Sequence, residues 1–260
     1  MRALAEPVTE RMRKILVAAN WKMHGSKAHI REFVSALRLF EGVDTVVFPP
    51  AVFLHELVSC ATDGLAVGIQ DIGIQPSGAH TGEIASEMVA EVGGEWSIVG
   101  HSERRIMQGE TDDLVATKAA ASLRGGLRPI VCVGETLAER EAGHELAVVE
   151  RQLAAVLDRV DVDRLAQGAI GYEPVWAIGT GETATPEQAQ EMHAFIRAQV
   201  ASASERAAAA MRIIYGGSVK PDNAAELFRQ ADIDGGLVGG ASLDAADFSE
   251  ILRAAQAAQV

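Results

Sequence analysis

The chain has 260 residues, of which 48% are hydrophobic and 23% charged, with a formal net charge of −13 and a pI near 5.0. That is enough apolar material to bury a large core near the upper limit for one domain, and it argues against disorder. The acidic balance, with no basic patch or stripe, excludes nucleic acid as an expected partner, and no apolar run approaches the roughly 20 residues of a membrane span.

The first segment, Met1 to Arg11, lacks the apolar core of a signal peptide and reads as a polar tail, residues 1–11, either a flexible N-terminal extension or the product of a misassigned start ahead of Met12, before a catalytic domain over 12–260. Short apolar runs then recur along the chain: Ile15–Ala19, Thr45–Phe48, Ala66–Gln70, Ser97–Val99, Pro129–Val133, Ala169–Tyr172, Arg212–Tyr215 and Gly236–Val238. Most are β-branched and bounded by Gly, Pro or polar residues, as strands are. Amphipathic stretches lie between them, among them Ile30–Phe40, Leu114–Leu123, Leu146–Leu157, Pro186–Ala201 and Phe248–Ala258. Thr185-Pro186-Glu187 predicts a helix start, with Thr as N-cap and Pro in the first turn.

Eight such strand–helix units, apolar on both faces, predict an α/β protein with a parallel sheet covered by helices, closed as a (β/α)8 barrel of the TIM barrel type in a single domain. A doubly wound sheet usually has fewer strands and a GxGxxG after the first; here the first strand runs into Asn20-Trp21-Lys22. A barrel places chemistry at the C-terminal ends of its strands. Those ends carry Asn20 and Lys22, Pro49-Pro50, Gln70, His101, Glu135, Glu173, Gly216-Gly217-Ser218 and Gly239-Gly240.

The sixth end is the most informative. Glu173 closes the run Ala169–Tyr172, Pro174 stiffens the exit, and Val175-Trp176-Ala177-Ile178 forms an apolar tip before Gly179 and Gly181. An apolar loop bounded by Pro and Gly suits a lid. A carboxylate beneath a lid is a candidate general base, because closure strips water from it and raises its basicity. The two cysteines, Cys60 and Cys132, sit in apolar contexts and predict a reducing compartment without a disulfide framework. The seven histidines form no HExxH or Cys/His cluster, so no metal is expected.

From about Arg13 to the C-terminus the chain resembles the triosephosphate isomerase family. The resemblance rests on Ala19-Asn-Trp-Lys-Met23, Val99-Gly-His-Ser-Glu-Arg-Arg105, Cys132-Val-Gly-Glu135, the Glu173 lid segment, Tyr215-Gly-Gly-Ser-Val219 and Leu237-Val-Gly-Gly-Ala-Ser242, in that order and spacing. It implies a cofactor-independent isomerase of glycolysis and gluconeogenesis, cytoplasmic, that interconverts dihydroxyacetone phosphate and glyceraldehyde 3-phosphate through an enediolate. By resemblance, Glu173 is the base and His101 the electrophile, a neutral ring at a helix N-terminus; this family is itself the standard example of that arrangement. Lys22 offsets the charge of phosphate and enediolate, with Asn20 helping to hold it and the substrate. Glu103 is expected to pair with Lys22 from outside the substrate's reach. The phosphate is expected on backbone amides at Ser218, Gly239 and Gly240, with Gly179 of the closed lid adding another.

Two departures stand out. The loop Asp71–Thr81, which in the family reaches into a partner subunit and implies a homodimer, carries His80 where an aromatic is more usual. The N-terminal extension is the other. A related isomerase acting on a four-carbon erythrulose phosphate is the alternative reading, since such paralogues share the Lys, His and Glu set. A non-catalytic barrel would be expected to lack one of these residues.

Overall fold

The computed structural model describes residues 13–178 and 183–259. The expected extension, residues 1–11, and the expected phosphate ligand Gly179 both lie outside the described residues.

Eight parallel strands close into a barrel in sequence order: β1 (Ile15–Asn20), β2 (Val43–Phe48), β3 (Leu65–Ile69), β4 (Trp96–Val99), β5 (Arg128–Val133), β6 (Ala169–Tyr172), β7 (Arg212–Tyr215) and β8 (Gly235–Val238). β8 returns to β1, with Leu16 opposite Gly235 and Ala19 opposite Val238. Each of the eight apolar runs read from the sequence is a strand, and β6 and β7 have the expected bounds. The amphipathic stretches are helices on the outer face; Lys27–Ala36 starts and ends earlier than its apolar periodicity suggests, and Ser26 caps it by accepting from His29 N. The helix Pro186–Ala203 begins as expected. Thr185 accepts from Gln188 N while the Gln188 side chain reaches back to Thr185 N, so two otherwise orphaned amides are satisfied.

Strand alternation sorts the apolar residues into two buried layers. Ile15, Val17 and Ala19 of β1 face the helices, together with Val47, Val99, Val131, Ile170 and Ile213. Leu16 and Ala18 face the barrel interior with Val46, Phe48, Trp96, Ile98, Ile130, Cys132, Ala169, Ile214 and Leu237. The interior is therefore packed solid rather than open. Large and small residues interlock within it: a Cβ on Gly68 would come within 2.3 Å of the Phe48 ring, so the glycine is what admits that ring. At the N-terminal mouth the guanidinium groups of Arg128 and Arg212 lie over the Trp96 ring, 4.5 and 5.2 Å from its centre.

The same alternation positions the site. Extending the inward face by two residues beyond Ala18, Gly68, Cys132, Gly171, Ile214 and Leu237 gives Asn20, Gln70, Gly134, Glu173, Gly216 and Gly239. These residues form the next layer, at the C-terminal mouth of a plugged barrel. The packed layers below exclude water from one side of it.

Candidate active site

Lys22 is built into the mouth by a strained loop. Its φ is 48°, the only positive value at a non-glycine position among the described residues. A left-handed lysine costs about 1–2 kcal/mol and persists where its surroundings over-determine it. Here its N–H donates to Asn20 Oδ1 at 3.0 Å, and its carbonyl accepts from Gln70 Nε2 at 2.8 Å. Gln70 also donates to Phe48 O at 2.9 Å, so one amide ties the ends of β1, β2 and β3 together. The Lys22 ammonium is 2.7 Å from Glu103 Oε1, the pairing expected from the sequence.

His101 stands at the N-terminus of the helix Ser102–Gln108. Its Nδ1 accepts from Glu103 N at 3.2 Å. A ring nitrogen that accepts from an amide carries no proton, so the proton of the neutral ring resides on Nε2. Nε2 points into the pocket and lies 3.0 Å from Glu173 Oε1.

Glu173 is 2% exposed. Its Oε2 accepts from Ser102 N at 2.8 Å, while Oε1 faces His101 Nε2. Its backbone is equally constrained: Glu173 N donates to Val133 O at 2.8 Å, and an added Cβ on Gly134 would lie 1.7 Å from Glu173 O. Cys132 sits directly below. Burial first, and the neighbouring Glu173 charge second, hold its thiol well above the usual range, so it serves as a neutral floor.

The lid base rests on Glu135, which is fully buried at the end of β5. Glu135 accepts from Tyr172 Oη at 3.1 Å, Trp176 Nε1 at 2.8 Å and Arg140 at 3.1 Å. The Arg140 guanidinium also covers the Trp176 ring at 5.1 Å. Burial and the Glu135 charge together push the Tyr172 hydroxyl upward, which keeps it a donor. Val175–Ala177 is accordingly a short 3-10 turn anchored at its start.

A cavity of about 240 Å³ joins these parts, lined by Asn20, Lys22, His101, Glu173, Ile178 and the segments Gly216–Lys220 and Gly239–Ala241. Every described residue expected to touch the substrate lies on it. Glu103 lies just outside and reaches the site through Lys22. The sequence reading missed three contributors. Gln70 was seen only as a strand end, although its inward parity with Gly68 could have flagged it. Ser102 acts through its backbone amide, and no residue type signals that. Lys220 sits in a loop with no motif of its own.

A second assembly supports the helix that begins after His101. Lys118, 5% exposed, contacts both Asp71 oxygens at 2.7 Å and Glu110 at 2.6 Å, and Arg104 joins Glu110 at 2.6 Å and Asp71 at 2.8 Å. Burial pushes the Asp71 carboxyl upward, partly countered by Lys118. This network fastens the loop after β3 to the helix carrying Glu103.

A (β/α)8 barrel with a buried carboxylate and an imidazole 3.0 Å apart and a lysine around a small glycine-rimmed pocket defines an enzyme of acid–base chemistry on a small polar substrate. A family model described as triosephosphate isomerase matches residues 15–255. The triosephosphate isomerase of Stenotrophomonas maltophilia (strain K279a) is 55% identical over 250 residues, covering 95% of this chain and 100% of that one. Those of Xanthomonas campestris pv. campestris (strain 8004) and Pseudomonas putida (strain GB-1) are each 51% identical, covering 95% and 94% of this chain and 100% and 99% of theirs. The chain belongs to the triosephosphate isomerase family and is an isomerase.

Proposed function

We propose that this chain interconverts dihydroxyacetone phosphate and D-glyceraldehyde 3-phosphate, with Glu173 as base, His101 as electrophile and Lys22 as the compensating cation. The observation that carries the reading is Glu173 Oε1 at 3.0 Å from His101 Nε2 inside the pocket. Glu173 Oε1 removes a proton from the carbon beside the carbonyl, leaving an enediolate, and returns it to the neighbouring carbon. His101 Nε2–H donates to the oxygen where charge develops, and the two oxygens exchange one proton through that nitrogen. Lys22 meets the same charge in a site with little water, where it counts for more than in solution. The phosphate rests on the amides of Ser218, Gly239 and Gly240, joined by Gly179 when the lid closes. No cofactor enters this scheme.

The working unit is a homodimer in which the Asp71–Thr81 loop of one copy packs beside Asn20 and Lys22 of the other. Its support is apolar exposure on that rim: Met23 is 94% exposed, Met107 74% and Ile106 63%. The compartment is the cytoplasm, which suits two free cysteines, and the pathways are glycolysis and gluconeogenesis. No described helix is long and apolar enough to cross a membrane.

Glu173→Gln tests the assignment. The amide keeps the shape but cannot take the proton, so inhibition by a phosphorylated competitor should persist while turnover falls by a factor of about 10³ or more. Substantial remaining turnover sinks the assignment. Erythrulose 4-phosphate assayed beside glyceraldehyde 3-phosphate separates the four-carbon alternative.

A further inference from the structure

The pocket contains a second lysine that the scheme above does not use. Lys220 lines the same cavity as Lys22, His101 and Glu173, two residues beyond Ser218. Its backbone is pinned: Lys220 N donates to Asn223 Oδ1 at 2.8 Å, Asn223 Nδ2 donates back to Ser218 O at 2.9 Å, and Ala224 N donates to Lys220 O at 3.0 Å. Its side chain is not. The residue is exposed, and its ammonium forms no ion pair or hydrogen bond among the described residues. Lys22 is the opposite case, its ammonium held 2.7 Å from Glu103 Oε1.

The charges decide what this means. Around the cavity Lys22 is compensated by Glu103, and Glu173 adds a carboxylate. Without Lys220 the mouth would carry net negative charge, on a chain whose formal charge is already −13. A phosphate dianion would then approach against both the local and the global field. Asp222 and Glu226, exposed on the same loop and the helix that follows, add to that field.

Resting on the isomerase reading above, we propose that Lys220 is the recruiting cation for the substrate's phosphoryl group. Its long stem carries a point charge from a fixed backbone origin to the Gly216–Ser218 side of the pocket, where it meets the incoming phosphate before the amides do. A rim charge of this kind acts on capture and on its salt dependence more than on the chemical step.

The test compares wild type, Lys220→Gln, Lys220→Glu and Lys14→Gln with glyceraldehyde 3-phosphate, and measures inhibition by inorganic phosphate. Lys14 pairs with Asp44 at the start of β1, on the opposite face of the barrel, so its variant makes the same change in total charge as Lys220→Gln away from the pocket. Lys220→Glu should lower kcat/KM by about tenfold at low ionic strength, with a smaller loss for Lys220→Gln, and the gap should close toward 1 M salt, where the screening length is about 3 Å. The loss should fall mainly on KM, and phosphate inhibition should weaken in parallel. If Lys220→Glu matches Lys14→Gln while wild type is active, Lys220 has no recruiting role. A salt-independent loss confined to kcat also overturns the proposal. A wild type that does not turn over the triose phosphate would instead refute the isomerase reading, so the two failures are distinguishable.

Discussion

Gly134→Ala should disable the enzyme without touching any group that does chemistry. An alanine Cβ there would lie 1.7 Å from Glu173 O, 2.6 Å from its carbonyl carbon and 3.2 Å from its Cα. Ordinary contact begins near 3.4 Å, so one strand end must move by about 1.7 Å, the difference between the two. Gly134 is poorly placed to be the one that moves. Its N–H donates to Gln152 Oε1 at 2.8 Å and its carbonyl accepts from Gln152 Nε2 at 3.1 Å, and Gln152 is buried on the helix Glu145–Leu157. The displacement therefore falls on Glu173, whose Oε1 must stay aligned with His101 Nε2. A misplacement of about 1 Å in a catalytic group costs on the order of 10²-fold, so kcat/KM should drop by about that factor. Overpacking should also cost about 1–3 kcal/mol of stability, read from a urea midpoint alongside a circular dichroism spectrum that shows the variant folded. Gly171→Ala is the control. It lies on the neighbouring strand, and its added Cβ meets nothing closer than 3.4 Å, so activity should change little. A folded Gly134→Ala with wild-type activity, or a Gly171→Ala equally impaired, would refute the reasoning.

Burial pushes His193 down from 6.5 to about 4, and its Nε2 has no partner among the described residues. The unfolded chain therefore binds a proton in that window that the folded chain refuses. This contribution is fully present above pH 6.5 and is lost as pH falls toward 4, by about 3 kcal/mol in all. His193→Gln should flatten the fall in urea midpoint between pH 7 and pH 5, and an unchanged slope would show that another group carries it. Shortening the Asp71–Thr81 loop should halve the mass in light scattering and reduce activity with it; a variant that keeps both would remove the loop from the interface.

The barrel was legible because its signal repeats. Each strand is a short apolar run bounded by turn residues, and eight of them leave few architectures. The candidate catalytic residues were legible because they stand at strand ends within long motifs, and the fold brings them to one cavity. What escaped acts through geometry rather than residue type. Nothing in the letters Asn20-Trp21-Lys22 announces that Lys22 has a φ of 48°, or that Gln70, 48 residues away, holds its carbonyl. Helix bounds escaped for a related reason: Ser26 sets the start at Lys27, although the apolar periodicity begins only at Ile30.

The site works by setting charges at different degrees of freedom. Glu173 has one oxygen tied to Ser102 N and the other turned to His101 Nε2 at 3.0 Å, so its position is fixed. Lys22 has its backbone strained and clamped and its ammonium held by Glu103, so its charge is delivered at one place. Such a cation stabilises a transition state well, because it need not reorganise as charge develops. It captures poorly, because its partner already cancels much of its field at a distance. An acidic enzyme with an anionic substrate thus has two electrostatic tasks that one lysine cannot perform together. Pairing Lys22 with a carboxylate and leaving Lys220 unpaired at the mouth divides them. This division predicts that substitutions at the two lysines differ in kind: at Lys22 the damage should persist at high salt, and at Lys220 it should not.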